Sequence, residues 1–501
     1  MTPTSGRLLA RNTLFNLLGQ AAPMVAAVVS IPILIHSIGT ERFAILSLAW
    51  IVIGYFSLFD LGLSRALTQV VADRLGASDG RDLPEVVWTA LALMSALGVV
   101  GAVLLAGVSP WVVRGGLNVP PALRAETIQT MYLLALGLPF VISAGGLRGV
   151  LEAYQRFDVV NAIRIPTGVF SYLGPLLVLP FTRSLAAVVA VLLVGRVAGW
   201  VAHLYFCVRV VPELGARVVM RPHLVTPLLR FGGWITASNV ISPLMTYVDR
   251  FVIGALLPVA AVAYYVTPYE VVTKLWVIPG AVAGAVFPAL AGNYAQNRLH
   301  ARELFFAGVR ATMVALFPVV LILFTLAPEG LQLWLGAEFG RESTPVLRWL
   351  AAGVLINSIG QVAGAAVQGA ARPDLAAKLH AAELPFYMVS LWFLVREYGV
   401  TGAAIAWTLR VGVDAVVLLS MSDRLLAPGA RVSPWALGAL AMAGAALALG
   451  TLPHGTGAKV LFLAAACPAF AALAWFGVVQ PHERARVLAR LGSHRGTEAR
   501  R

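Results

Sequence analysis

S-L-A-A-V-V-A-V-L-L-V-G-R-V-A-G-W-V-A-H-L-Y-F-C (Ser184–Cys207) is apolar over nearly its whole length and carries one arginine at its middle. A run this long supplies the roughly 20 residues that an α-helix needs to cross the hydrocarbon core of a bilayer. In lipid every backbone N–H and C=O must be satisfied within the segment, so the run reads as a transmembrane helix. A barrel strand would instead alternate over about 10 residues. Arg196 is therefore a charge at bilayer depth, where it costs about 2.5–3.5 kcal/mol on insertion scales. No acid lies within four residues of it.

Working outward, similar segments fill the chain. They read as 12–36, 43–65, 84–108, 127–147, 159–181, 184–207, 231–256, 260–290, 304–327, 344–368, 376–396, 399–420, 434–452 and 457–480. That makes about 14 spans, with no stretch left for a soluble domain. Of 501 residues, 59% are hydrophobic and 12% charged, where soluble domains carry about a quarter charged; mean hydropathy is +0.83. The expected fold class is an all-α polytopic membrane protein.

The net charge of +14 could suit nucleic acid, but its placement argues otherwise. Alternate loops hold only Arg42, Arg114, Arg124, Arg183, Arg341, Arg348, Arg396 and Lys459. The N-terminus, the intervening connections and the C-terminal tail hold most of the rest. Basic residues collect in cytoplasmic loops, so both termini are expected in the cytoplasm and the span count is even. The tail Arg484–Arg501, with six arginines, suits anionic lipid of the inner leaflet; no nucleic-acid partner is expected. Arg7 and Arg11 lead into a full-length span without an A-x-A site near its end, which predicts a retained first helix. Cys207 and Cys467, the two cysteines, fall at or within spans, which argues against a disulfide or a cysteine metal site.

The connection Val208–Arg230 separates six spans from six more, with a final pair appended. Arg11 opens a span holding Asn16 and Pro23, and Arg230 opens one holding Asn239 and Pro243. This suggests a six-helix lobe over 1–211, a cytoplasmic linker over 212–230, a second six-helix lobe over 231–421, a helix pair over 432–480 and a basic tail over 481–501. Because six is even, both lobes would share one orientation, related by a pseudo-two-fold axis along the membrane normal with a cavity between them. Small-xxx-small steps at Gly195–Gly199, Gly280–Gly284 and Gly360–Gly364 permit close helix packing. Prolines at 23, 139, 166, 243, 318 and 385, among others, predict bends, either static or used in motion.

Ionisable groups inside spans are the sharpest chemical signal. They are Asp60 with Arg65, Arg196, Asp249 with Arg250, Glu270 with Lys274, and Arg410 with Asp414. Glu270/Lys274 and Arg410/Asp414 are spaced i, i+4, so each pair can neutralise itself on one helix face. Neighbours Asp249 and Arg250 point about 100° apart and are expected to serve different partners. Arg65 either snorkels to the inner interface or faces a cavity. Together, cations on several spans favour a wet cationic cavity, and the planar fork of arginine suits phosphate. The acids Asp60, Asp249, Glu270 and Asp414 are candidates for ion coupling or plain charge pairing. Tyr55, Tyr247, Tyr264, Tyr265, Tyr269 and Trp276 stand near these charges, either as sugar-stacking rings or, for most of them, as interface anchors. No G-x-x-x-x-G-K-[ST], H-E-x-x-H or histidine cluster occurs, so no nucleotide, metal or other cofactor is expected.

N-T-L-F-N-L-L-G-Q (Asn12–Gln20), S-I-P-I-L-I-H-S-I-G-T-E-R-F-A-I-L-S-L (Ser30–Leu48) and G-Y-F-S-L-F-D-L-G-L-S-R-A-L-T (Gly54–Thr68) resemble the polysaccharide transporter family. So do Y-V-D-R-F-V-I-G (Tyr247–Gly254) and Ala263–Tyr265. These are the O-antigen and exopolysaccharide flippases of the multidrug/oligosaccharidyl-lipid/polysaccharide exporter superfamily. The resemblance implies a flippase of the bacterial inner membrane that carries undecaprenyl-pyrophosphate-linked oligosaccharide from the cytoplasmic to the periplasmic leaflet. It further implies a cationic central cavity, membrane lipid, a polysaccharide polymerase and glycosyltransferases as partners, and family-like charged positions at Arg65 and Arg250. Arg196, Lys274 and Arg410 rest on the residues alone. Coupling to H+ or Na+ and export driven by removal of product both fit. Two other readings stand beside this one: a cation-coupled multidrug exporter of the same superfamily, which needs acids in its cavity, and an integral-membrane enzyme of glycan assembly.

Overall fold

The computed structural model describes residues 6–56, 62–76, 82–216, 218–226, 245–294, 297–370, 372–426 and 434–478, and among them every regular element is helical. Asp60, the opening of the seventh span with Asn239 and Pro243, and the tail 481–501 lie outside the described residues. Seven described helices are long and apolar enough to cross a membrane. The chain is an all-α polytopic membrane protein. Its contacts divide it into one unit over Met1–Ala263 and another over Tyr264–Arg501.

The first unit runs through α1 (Gly6–Ile38), α2 (Thr40–Phe56), α3 (Leu63–Gly76), α4 (Leu83–Trp111), α5 (Pro121–Ala153), α6 (Phe157–Leu173) and α7 (Leu185–Val210), and then a helix over 245–256. One expectation needs correction here. The second span, read as continuous over 43–65, is interrupted at Gly62, whose φ of +69° is left-handed; α2 is described to Phe56, and Arg65 belongs to α3. Two carboxylates tie the ends of this unit. Glu126 accepts from Arg42 Nε at 3.0 Å and from the Leu185 amide at 2.6 Å, where it satisfies an orphan donor of the first turn of α7. Glu85 holds Arg221 through two bonds of 2.9 Å, while the Trp88 indole donates to the Leu214 carbonyl. The described part of the connection over 212–230 is thereby fastened to the start of α4.

The contact division falls at Ala263, later than the 212–230 connection, and one residue accounts for much of the difference. Asn118 donates its amide N–H to the Gly254 carbonyl at 2.8 Å and its side chain to the Ala255 and Leu257 carbonyls, and it accepts from the Val259 amide. The end of the helix over 245–256 is thus capped by the loop between α4 and α5.

In the second unit, Ala260–Thr273, Val277–Tyr294, Arg298–Thr325 and Thr344–Gly369 are followed by Pro373–Leu426, which is two helices joined at Gly399. Gly399 has φ +60°, ψ −143°, and it divides the segment between the two spans expected there. Three residues on, a Cβ at Gly402 would meet the Leu394 carbonyl oxygen at 1.9 Å. Thr344–Gly369 packs along this hairpin, with Gly353 against the buried Trp407 ring and Gly360 against Ala415. Gly280 and Gly284 have open space on their Cα side, so that small-residue step makes no close crossing among the described residues. Tyr265 and Tyr269 are core residues rather than interface anchors: their rings stack at 5.9 Å, and Tyr269 meets Trp407 edge-on. Of the C-terminal pair, Pro434–Leu449 and Thr456–Leu473, the second is held to this unit by Phe317–Phe470 stacking at 4.6 Å and by Lys459 Nζ–Glu329 Oε1 at 2.7 Å.

Gly402→Ala is expected to lower thermal stability in detergent by at least about 1–3 kcal/mol, the usual scale of overpacking, while Gly280→Ala leaves it unchanged. The Glu329–Lys459 tether predicts a pH dependence. Partial burial raises the Glu329 carboxyl, but the Lys459 hydrogen bond and charge and a backbone bond outweigh it and hold it below the ordinary glutamate range. A depressed carboxyl contributes stability above the unfolded-state value and loses it as pH falls through the folded value. Acidification through that window should loosen the last helix in hydrogen exchange, and Lys459→Met should remove the pH dependence.

Candidate functional site

Four helices of the first unit surround a cavity of about 350 Å³. α3 contributes Arg65, α5 contributes Phe140 and Arg148, α6 contributes Arg164 and Thr167, and α7 contributes Arg196, Trp200 and His203. The spacings explain how each helix presents its groups. Val141, Ala144, Gly145 and Arg148 lie on one stripe of α5, and Arg196, Trp200 and His203 lie on one stripe of α7. Among the described residues, no carboxylate lines the cavity.

Small residues set the wall distances. On α5 a Cβ at Gly145 would fall 2.6 Å from Ser64 Oγ, and one at Gly149 would fall 2.4 Å from Thr68 Oγ1 and 2.9 Å from the Ser64 carbonyl. The two helices therefore touch almost backbone to backbone, which brings Arg65 to the cavity. On α7, a Cβ at Gly195 would meet the Phe170 ring at 2.5 Å and one at Gly199 would meet Thr167 Cγ2 at 2.9 Å, so α6 and α7 close up in the same way. The sequence step Gly195–Gly199 is thus a real crossing that sets Arg164 and Arg196 near each other.

Hydrogen bonds then orient the side chains. Trp200 Nε1 donates to Ser143 Oγ at 2.9 Å, and its ring meets Phe140 edge-on at 5.5 Å. Arg196 Nη2 reaches only Ser171 Oγ, at 3.4 Å. His203 Nδ1 is 2.7 Å from the Gly199 carbonyl, so that nitrogen carries the proton and Nε2 has the lone pair in the neutral ring; Nε2 is buried without a partner. Arg148 is shared with Glu152, one turn away at 3.5 Å. Among the described residues, Arg65, Arg164 and Arg196 have no carboxylate within 4 Å. Three guanidiniums thus face one cleft with no described carboxylate beside them.

The other charges singled out in the sequence lie elsewhere. Arg250 and Asp249 do not serve wholly different partners. Asp249 Oδ1 accepts both from the Arg250 amide and from Arg250 Nη1, each at 2.8 Å, and Nη1 also donates to the Thr246 carbonyl. Both side chains are buried. The arginine stem is long enough to fold back over its neighbour, which a simple angular argument leaves out. Lys274 pairs with Glu270 at 2.9 Å, as their spacing allows. Arg410 and Asp414 do not neutralise each other: Asp414 Oδ1 lies 3.2 Å from His380 Nε2, and Arg410 lies over the Tyr387 ring. Arg148 falls just past the span read over 127–147, and Arg164, His203 and Trp200 lie inside spans without standing out there; for Arg164, the i, i+3 step to Thr167 was the available signal.

Residues 9–293 match the model of the family described as "Polysaccharide biosynthesis protein". The chain belongs to that family. Among relatives of this family member, the "Putative O-antigen transporter" of Shigella flexneri is 29% identical over 419 residues, 83% of this chain and 98% of that protein. The "Lipopolysaccharide biosynthesis protein WzxC" of Escherichia coli K12 is 27% identical over 171 residues, 33% of this chain and 34% of its own. In fold, the chain is similar to an inward-facing multidrug resistance MATE family transporter of the MOP superfamily. That match has a TM-score of 0.69 and 16% identity and covers 84% of this chain and 96% of the other. A MOP superfamily transporter from Pyrococcus furiosus aligns with a TM-score of 0.59 and 15% identity over 83% of this chain and 95% of its own.

Breaking a buried ion pair from one side typically costs about 3–5 kcal/mol. Arg250→Ala should therefore reduce folded protein in the membrane and lower its melting temperature in detergent. Arg196→Ala, which removes an uncompensated charge, should leave both unchanged.

Proposed function

We propose that the chain is a flippase that moves an undecaprenyl-pyrophosphate-linked oligosaccharide from the cytoplasmic to the periplasmic leaflet for surface polysaccharide assembly. The observation that carries this reading is the cavity where Arg65, Arg164 and Arg196 stand with no carboxylate among the described lining residues. A diphosphate supplies the missing anionic oxygens, and each guanidinium engages two of them at once. His203, whose Nδ1 is engaged by the Gly199 carbonyl, lines the same cavity. Trp200 and Phe140 offer ring surface to the first sugars, while the isoprenoid tail stays in lipid. Family membership and the transporter name of the Shigella relative support the same reading.

In this account the six-helix lobes over 1–211 and 231–421 work by alternating access about an axis along the membrane normal, with both termini in the cytoplasm. Arg250 and Lys274, engaged by Asp249 and Glu270, shape the bundle rather than grip the cargo. Arg410 belongs with the groups considered for ion coupling. A polymerase and glycosyltransferases are the partners such a role requires, and the chain itself catalyses no covalent step. The multidrug reading asks for carboxylates to meet cationic cargo, and none lines this cavity among the described residues.

The test is translocation of a fluorescent diphosphate-linked oligosaccharide by the purified protein in liposomes. Losing a charge-assisted contact of about 1.5–3 kcal/mol corresponds to about tenfold or more. Arg164→Glu and Arg196→Glu should each lose at least that much flipping at unchanged membrane abundance. Wild-type rates in both variants would refute the assignment, and turnover of the lipid-linked sugar by the protein alone would establish the enzyme instead.

A further inference from the structure

The hairpin Pro373–Leu426 of the second unit carries a buried set of titratable groups that phosphate binding does not use. Its first limb presents His380, Glu383 and Tyr387 at i, i+3, i+7, and its second limb presents Arg410 and Asp414 at i, i+4. Glu383 is 8% exposed and Asp414 6%. Neither carboxylate oxygen of Glu383 has a hydrogen-bond partner, and Asp414 Oδ1 has none either, although His380 Nε2 lies 3.2 Å from it.

Glu383 and Asp414 are buried, while His380 is a third exposed. The charged groups acting on Glu383 are Asp414, Arg410 and His380. Thr344–Gly369 brings Gly360 against Asp414 Oδ2, where a Cβ would lie at 3.6 Å. The charged residue of that helix, Arg348, bonds the Phe324 carbonyl. On Arg298–Thr325, Arg302 is held by Asp423 at 2.7 Å, and neither it nor Arg310 acts on Glu383.

The set places two carboxyl groups against one guanidinium, and an ionised Glu383 would be buried without a hydrogen bond, a state that costs several kcal/mol. One proton cancels it. A sodium ion would cancel it too, but it needs a shell of oxygen ligands, and here the Arg410 guanidinium and the imidazole share the pocket. We infer that Glu383, Asp414 and His380 form a site in the second unit that takes up and releases one proton. In the uptake step a carboxylate oxygen accepts H+ to give a neutral carboxyl, with His380 as the near relay to Asp414. That this proton drives cargo movement rests on the flippase reading; the site itself does not.

The experiment is infrared spectroscopy of the full chain in lipid, following the protonated-carboxyl stretch as pH is raised through neutrality. Wild type should show one band that disappears with rising pH, and Glu383→Gln should lack it. Asp414→Asn should keep the band but move its midpoint to lower pH, because the neighbouring negative charge that favours the proton is gone. Spectra of wild type and Glu383→Gln that are identical at every pH would overturn the inference. So would an unmoved midpoint in Asp414→Asn, or a band that added sodium displaces at constant pH. Because the readout needs no cargo, an intact band in a protein that flips nothing would sink the transport reading and leave the proton site standing.

Discussion

A guanidinium at bilayer depth must be met by water, a counter-charge or a ligand, and this requirement organises most of the molecule. The chain meets it in two ways. Arg250 is buried beside Asp249 and Lys274 reaches Glu270, each pair closing within one segment, while Lys459 reaches Glu329 and joins two helices. Arg65, Arg164 and Arg196 receive no acid and instead share one cleft. The distinction between a paired and an unpaired arginine therefore separates the scaffold from the site.

Placing three cations in one cleft needs helices that approach closely, and residues without side chains make that possible. Gly145 and Gly149 let α3 lie on α5, and Gly195 and Gly199 let α6 lie on α7. Without a hydrophobic driving force between helices in lipid, such contacts contribute the packing energy themselves. The same residues that stabilise the bundle thus also fix the spacing of the charges. In the second unit Gly353 and Gly360 do the corresponding work against Trp407 and Ala415.

Much of this was legible in the sequence, and the limits have physical causes. Apolar length locates the helices well, because lipid demands it, and even the break inside Pro373–Leu426 falls at Gly399, between the two spans read there. Hydropathy does not see Gly62, whose positive φ turns one apparent span into two helices. Arg196 stood out as a charge without a near acid, but Arg148 fell just outside a span and Arg164 near the start of one, since only the packing of α5, α6 and α7 reveals that they face inward. Spacing within a helix predicted Glu270–Lys274 and failed for Arg410 and Asp414, because the facing limb supplied His380 and Tyr387 first. Tertiary neighbours outrank helical ones wherever two limbs are in contact.

A cleft lined by arginines and no acids has a further property. In an electrolyte such a surface attracts chloride and inorganic phosphate. On the flippase reading proposed above, cargo entering the cleft displaces them, so loading is an ion exchange whose favourable entropy comes from the small ions returned to solution. Raising ionic strength refills the cleft with competitors and screens the attraction over about 8–10 Å. The salt content of the compartment that the cleft faces thereby becomes a determinant of when the protein picks up its load and when it lets go.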